Sequence, residues 1–478
     1  MRCVGRGARR MVRTSEQRTW TTRWEAPASE VCFGCPSAAS RCHSTAAYDC
    51  GVRRLARNPL VLWSAFVLIH LWLAYVGLTA PTLPWGDVTI VYSTWIHHAI
   101  GGYWVGIDGP WVYPLLALVP MIAAMGLGSL LYGVGWFLLV LVANGAVFAF
   151  ILNSRTTSEP VTPAPDARPA PLGNPLRFVA AWWWLAFLLL LGPVALGRID
   201  SFTVALVIVG LLFAIRRPAA AGLMLALATW VKVWPVALVV AVIIAARRRV
   251  TVAVAAAVTA VAVAVVGLLL GAGANLFSFV TQQTSRGLQV EAPVSIPWMW
   301  MAYFKVPGSR VYYDQNILTF QVKGSGGTVA DFLTTPLLAV AVLVVLLLGV
   351  FVVRSGASVT QVLPALSLAL VMALIVFNKV GSPQFMLWIT APVILGLIWQ
   401  GRAFKTFAII AAVLAALTQL MYPYLYDWLL SLDPLMLLVL TARNGLEVVL
   451  FGLALRALFT SRVRALGPVF VESVKVAV

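Results

Sequence analysis

Charge is scarce in this chain. Of its 478 residues 10% are Asp, Glu, Lys or Arg and 61% are hydrophobic. Soluble globular domains carry about 25% charged residues, so a soluble fold is excluded. Barrel-like alternation is missing too. Helices are then the remaining way to pair every backbone polar group inside a bilayer. Cysteine stops at Cys50: Cys3, Cys32, Cys35, Cys42 and Cys50 are all there are. The first 50 residues lack the apolar core of a signal peptide. No GxxxxGK[ST] occurs, nor GxGxxG on a strand, so no nucleotide fingerprint is present. DxD and HExxH are absent as well.

Acidic residues are the rarer sign, 16 against 34 basic, for a net charge of +18. The basic residues do not form a nucleic-acid patch. They cluster between apolar runs, at Arg53, Arg54 and Arg57, at Arg216 and Arg217, at Arg247–Arg249, at Arg402 and Lys405, and at Arg462 and Arg464. That is the positive-inside pattern. It puts these turns in the cytoplasm, and the Asp87 region, residues 273–332 and Asn378–Gln384 outside. The expected partner is a lipid bilayer, not nucleic acid.

The expected architecture is all-α and polytopic, with about 11–13 transmembrane helices and surface helices in the first outer loop. Residues 1–51 are Arg/Ser/Thr-rich with no apolar period and read as a disordered extension, or as a stretch upstream of the true start. Cys32, Cys35, Cys42 and His43 have zinc-like spacing there, but the composition favours the plainer reading. Residues 52–465 form the transmembrane domain, with a first outer loop at 81–110 and a long one at 273–332. Residues 466–478 are a cytoplasmic tail. The Pro/Ala-rich stretch 153–177 is a linker. Pro110, Pro114 and Pro120 break the segment 111–126, which therefore dips into the surface and leaves that linker inside. Lys232 falls between two half-helices.

This topology gathers Asp87, Asp108, Arg198, Asp200, Lys232, Arg286, Glu291, Lys379 and Gln384 at the outer boundary. Ionisable residues at membrane depth are costly and mark a substrate path, although each alone could snorkel or form an inter-helix salt bridge. Asp87 follows Trp85-Gly86 and could cap the helix after it or act as a general base toward a substrate hydroxyl. In VTIVYSTWIHHAI, Val91, Trp95 and His98 share one helical face. Tyr92, Tyr103, Tyr113, Trp95, Trp104 and Trp111 form an aromatic belt; most anchor the interface, and one or two can stack on a sugar. His97-His98 lack further ligands, so no metal or other cofactor is expected. Lys232, Arg286 and Lys379 are the phosphate candidates, Lys as a point charge and Arg as a bidentate fork. The alternative for Arg286 is an ion pair with Glu291. An outer pocket with one isolated carboxylate, cations and aromatic rings suits a lipid-linked phosphate donor and a hydroxyl acceptor. A transporter with a midplane site built on broken helices is the competing class, but the two halves show no convincing similarity.

Several stretches resemble glycosyltransferase family 87 of the GT-C superfamily: GRIDSFTVALVIVGLLFAIRRPAAAGLMLALATWVKVWP, GWFLLVLVANGAVF, SRGLQVEAPVSIPWMW and NKVGSPQFMLWITAP, together with an outer-loop Asp followed five residues on by Tyr92. The resemblance covers roughly residues 55–460 in order and spacing. It implies a GT-C-type fold and an inverting transferase with Asp87 as base. It implies a polyprenyl-phosphate sugar donor, with mannose expected and a decaprenyl-phosphate arabinofuranose donor as the alternative. The acceptor would be an envelope glycolipid or glycan, met at the outer face of the plasma membrane. Tyr92, Asp108, Tyr113, Arg198, Asp200, Glu291 and Gln384 would contact substrate. Two motifs depart from the family. Its YPP reads Tyr113-Pro114-Leu115. Its GQ.N turn reads Gly197-Arg198-Ile199-Asp200, replacing amide contacts by a charged pair.

Overall fold

A computed structural model describes residues 55–153, 175–284, 286–315 and 317–465. The CxxC stretch, most of the Pro/Ala-rich linker and the C-terminal tail lie outside the described residues. The chain is helical almost throughout, as its composition requires. Among the described residues, eight segments are long and apolar enough to cross a membrane: Pro59–Thr79, Ser129–Asn153, Leu176–Ala195, Arg249–Leu269, Gly327–Arg354, Val359–Val376, Pro383–Tyr424 and Pro434–Arg462. Four shorter apolar stretches, Leu115–Leu127, Asp200–Phe213, Pro218–Val231 and Val236–Ala245, pack among them. The protein is thus an all-α polytopic membrane protein, with fewer full-length spans than the apolar runs alone suggest.

The helices run in order as α1 (Pro59–Thr79), α2 (Ser93–Ile100), α3 (Leu118–Ala124), α4 (Tyr132–Asn153), α5 (Leu176–Leu191), α6 (Asp200–Phe213), α7 (Pro218–Val231), α8 (Val236–Ala245) and α9 (Arg249–Leu269). They continue as α10 (Ser278–Thr284), α11 (Ile296–Tyr303), α12 (Gly327–Arg354), α13 (Val359–Val376), α14 (Thr390–Gln400), α15 (Lys405–Gln419), α16 (Tyr426–Leu430) and α17 (Pro434–Ala465). Their starts follow local rules. Asn58 accepts from the Leu60 amide, with Pro59 at the first position of α1. Ser358 and Gln361 make a capping box at α13. Gly401, at φ +57°, separates α14 from α15, so the apolar run 383–424 is two helices.

The proline-broken stretch 115–127 folds as short helical pieces. Leu115 lies against Gly267 near the end of α9, α3 has only 7 residues, and the Tyr132 hydroxyl at the start of α4 donates to the Met121 carbonyl at 3.1 Å. The far end of α4 sits beside the basic turns, since Phe150 meets Phe213 at 5.3 Å between ring centroids. Leu176, where the chain resumes, touches Gly401. The described residues Phe150 and Leu176, on either side of the Pro/Ala-rich stretch, therefore lie toward the end of the bundle that carries Arg216, Arg217 and Arg402.

The long loop is shorter and more structured than expected. α12 already starts at Gly327, and an antiparallel hairpin, β1 (Arg310–Asp314) and β2 (Thr319–Lys323), precedes it. Residues 288–290 extend this sheet, with Val290 donating to the Phe320 carbonyl and Val322 donating to that of Leu288. The pattern of the loop was polar and aromatic without a clean alternation, which hid the strands.

Two buried indoles hold the turn before α6. Trp85 donates to the Pro193 carbonyl at 2.8 Å and Trp136 to that of Leu196 at 2.9 Å. Both rings are fully buried. A carbonyl left unpaired here would cost its desolvation, and indole supplies a donor on a large apolar body. The close approach needs glycine, because a Cβ at Gly197 or at Gly77 would enter the Trp85 ring. Gly197→Ala should therefore cost ~1–3 kcal/mol through overpacking, read as a lower Tm by intrinsic fluorescence in detergent. An unchanged Tm would refute the close approach.

Candidate active site

Trp85 sets the position of Asp87, two residues further on. Asp87 opens a helical stretch, Asp87–Tyr92, that is wound as a π-helix and runs into α2. The cap position is Gly86 and not Asp87, so the capping role considered for Asp87 is not the one it has. Instead its Oδ2 lies 3.1 Å from Arg198 Nε. Arg198 is 4% exposed. Its Nη1 donates to the carbonyls of Pro84 and Gly197, and its Nη2 to the Tyr422 hydroxyl at 3.0 Å. Three hydrogen bonds and the ion pair to Asp87 hold one planar guanidinium in place beside the carboxylate. Among the described residues, no hydrogen bond to Asp87 Oδ1 is formed, and the side chain remains 37% exposed.

Arg198 and Asp200 do not pair with each other, contrary to the expected charged pair. Each is in a separate ion pair. Asp200 is fully buried; its Oδ2 takes Lys232 Nζ at 2.7 Å and its Oδ1 accepts from Trp388 Nε1 at 2.6 Å. Lys232 sits where α7 ends, as expected, and packs under the rings of Tyr113, Phe385 and Trp388.

The buried stripe of the Asp87 helix is Val88, Tyr92, Ile96 and Ala99. Val91 and Trp95 lie on the neighbouring face and line a cavity instead, while His98 is exposed. The expected Val91–Trp95–His98 face is thus not the one that packs on the bundle. Tyr92 anchors the stripe at 5.2 Å from Trp136.

The cavity has a volume of about 530 Å³. Of the sequence candidates, Asp87, Tyr92, Tyr113, Arg198, Arg286, Glu291 and Gln384 all line it. Segments nearly 300 positions apart in sequence meet there. Asp108 does not: its Oδ2 accepts from the Trp104 amide at 2.7 Å and closes a surface turn. Asp200 and Lys232 lie outside the lining, as does Lys379, whose Nζ is 3.0 Å from Asp331 Oδ1. Arg286 lines the cavity and makes no ion pair among the described residues; its buried Nε has no hydrogen-bond partner. It does not pair with Glu291, which binds Tyr426 instead. Burial lowers the Arg286 guanidinium below its ordinary value, partly offset by Tyr113. Burial first, and then Tyr113 and Asp87, hold the Tyr92 phenol well above its ordinary value, so it stays a proton donor.

Sequence reasoning missed Tyr422, Tyr426, Gln289 and the hairpin residues Tyr313 and Leu318–Phe320, all in the lining. The signal for two of them was present in YPYLYDW, where polar aromatic residues interrupt an apolar run. Among the described residues no group of His, Cys, Asp or Glu has the geometry to hold a metal ion. A second crevice of about 660 Å³, between α5, α14 and α15, has Arg402 and Lys405 as its only charged lining residues. With no carboxylate, it offers no group for acid–base chemistry.

Residues 111–313 match the model of glycosyltransferase family 87. The match indicates a membrane glycosyltransferase and agrees with the resemblance carried by the sequence motifs. It includes Tyr113, Arg198, Arg286 and Glu291 of the cavity; Asp87, Gln384 and Tyr422 lie beyond its ends. No curated protein and no solved structure gives a match.

Lys cannot reproduce the three hydrogen bonds and the ion pair of Arg198. Arg198→Lys should lower sugar transfer at least about tenfold while membrane insertion is kept. Transfer rates at equal membrane protein content test this, and a wild-type rate would show that the fork does not aim Asp87.

Proposed function

We propose that this glycosyltransferase moves a sugar, mannose, from a polyprenyl phosphate to a hydroxyl of an envelope glycolipid or glycan, with inversion, at the outer face of the plasma membrane. One observation carries the chemistry: Asp87, aimed by a buried Arg198, shares a cavity wall with Arg286, a cation that forms no ion pair among the described residues. The basic turns lie at the opposite end of the bundle, and the positive-inside rule puts that end in the cytoplasm. The choice of mannose and of a polyprenyl carrier rests on the family resemblance.

In this reading Asp87 takes the proton of the acceptor hydroxyl as its oxygen attacks the anomeric carbon. The bond from that carbon to the donor phosphate oxygen breaks, and its electron pair leaves on the phosphate. Attack from the face opposite the leaving group inverts the anomeric centre. Arg286 meets the growing phosphate charge with a bidentate fork. A desolvated cation preorganised toward developing charge lowers the barrier more than one in water. Trp95 and Tyr113, edge to face at 6.0 Å, offer apolar faces to a sugar ring.

Three experiments test this. Membranes are incubated with radiolabelled polyprenyl-phosphate mannose, and in parallel with the arabinose donor, and the labelled product is identified; label from arabinose alone overturns the mannose assignment. Asp87→Asn keeps the side-chain shape and an oxygen for Arg198 but removes the base, so transfer should fall about 10²–10⁴-fold in folded, inserted protein. Wild-type turnover in that variant would sink Asp87 as base. Arg286→Gln should raise KM for the donor far more than Lys379→Gln does, because Lys379 already has its carboxylate. Equal effects would remove Arg286 from the phosphate site.

A further inference from the structure

The cavity holds a second carboxyl that the proposed chemistry leaves unused. Glu291 is 2% exposed, yet it lines the cavity. Its Oε1 accepts from the Tyr426 hydroxyl at 2.6 Å. Its Oε2 is buried with no hydrogen-bond partner. The residue is clamped from behind. Arg443 Nη1 donates to its main-chain carbonyl at 3.1 Å and Asn444 Nδ2 donates to the same oxygen at 3.2 Å. Arg443 is in turn held by Glu447 at 3.1 Å. On the other side the Gly381 backbone packs so tightly that a Cβ there would strike the main chain of Glu291 and Ala292. The carboxyl therefore has little room to swing toward another partner.

A buried carboxyl oxygen without a partner costs ~1–3 kcal/mol, more when charged. Such a group, fixed in the wall of an otherwise polar and aromatic cavity, is explained if the ligand completes it. The donor phosphate does not fit, since two anions would repel. A polyprenyl chain has no polar group to offer. A sugar hydroxyl fits in either protonation state of the carboxyl, because a hydroxyl can both donate and accept. That versatility matters here: burial raises the Glu291 carboxyl above the usual range, while the Tyr426 bond, its own backbone amide, Arg443 and the Gln289 side chain act against it.

We propose that Glu291 Oε2 pairs with one hydroxyl of a sugar bound in the cavity and thereby selects which sugar is accepted. This rests on the transferase reading of the same cavity. The hydroxyl belongs either to the donor sugar or to the acceptor glycan. A site built to bond a hydroxyl rejects the analogue lacking it far more strongly than an apolar pocket rejects an extra group.

The test uses the purified full chain in detergent and measures binding rather than turnover. The probes are polyprenyl phosphate, polyprenyl-phosphate mannose, methyl α-mannoside, and deoxy versions of both sugars with one hydroxyl removed at a time. In wild-type protein one deoxy analogue should bind at least tenfold more weakly than its parent. In Glu291→Gln that same analogue should lose most of its disadvantage, while polyprenyl phosphate binds as in wild type. A deoxy-donor effect assigns the contact to the donor, and a deoxy-glycoside effect assigns it to the acceptor. If no single hydroxyl matters in wild type, or if the penalty is unchanged in Glu291→Gln, the inference is overturned, and the first of these results needs no variant to fold. Wild-type protein that binds neither lipid overturns the transferase reading itself. Loss of transfer in Asp87→Asn alongside an unchanged deoxy penalty overturns only the role of Glu291.

Discussion

Trp85 joins two loops that approach within van der Waals contact only because Gly77 and Gly197 have no side chains. Its indole satisfies the Pro193 carbonyl, in a setting where water is not there to do so. Once that bond is made, Asp87 and Arg198 have no choice but to meet. Arg198 is then used up by Asp87, Tyr422 and two carbonyls, which draws in the 420s segment as well. One constraint, the pairing of every backbone polar group in an apolar medium, thus propagates from a loop tether to a cavity wall.

The polar interior divides into layers with different work. Asp200, Lys232 and Trp388 form a closed set in which each charge has its partner. Arg443 and Glu447 form another. These sets hold helices together and lie outside the cavity lining, although the Glu447 oxygens have the Arg443 ion pair and no hydrogen bond. At the cavity wall the accounts are open: Arg286 Nε and Glu291 Oε2 have no partner, and Asp87 has one oxygen without a hydrogen bond among the described residues. Buried polar groups are ordinarily satisfied, so the open positions in this cavity's lining are where a ligand has bonds to supply.

Much of this was legible in order along the chain. Low charge and long apolar runs required helices. Basic clusters ordered the turns. Prolines at 114 and 120 foretold a broken segment, and the Thr-Trp-Val-Lys-Val-Trp-Pro stretch foretold the break at Lys232. Asp87, Tyr92, Tyr113, Arg198, Arg286, Glu291 and Gln384 were all legible as candidates, since polar residues at a membrane boundary stand out against such a background. The hairpin at 310–323 was not, because its strands lack a consistent apolar face. Nor were Tyr422 and Tyr426, whose place beside the cavity depends on contacts far off in sequence.

What the order of residues could not state was who pairs with whom. Arg198 and Asp200 are neighbours in sequence and looked like partners, yet backbone direction at the start of α6 sends them to Asp87 and Lys232. On paper Lys232 led the phosphate candidates, ahead of Arg286 and Lys379; folding supplied carboxylates to Lys232 and Lys379. Local patterns depend on the chemistry of nearby residues, so composition and spacing carry the membrane class, the helices and the list of polar residues. Ion pairing and burial depend on groups brought together from as far apart as Asp87 and Tyr422, so the assignment of each charge to support or to site belongs to the tertiary structure.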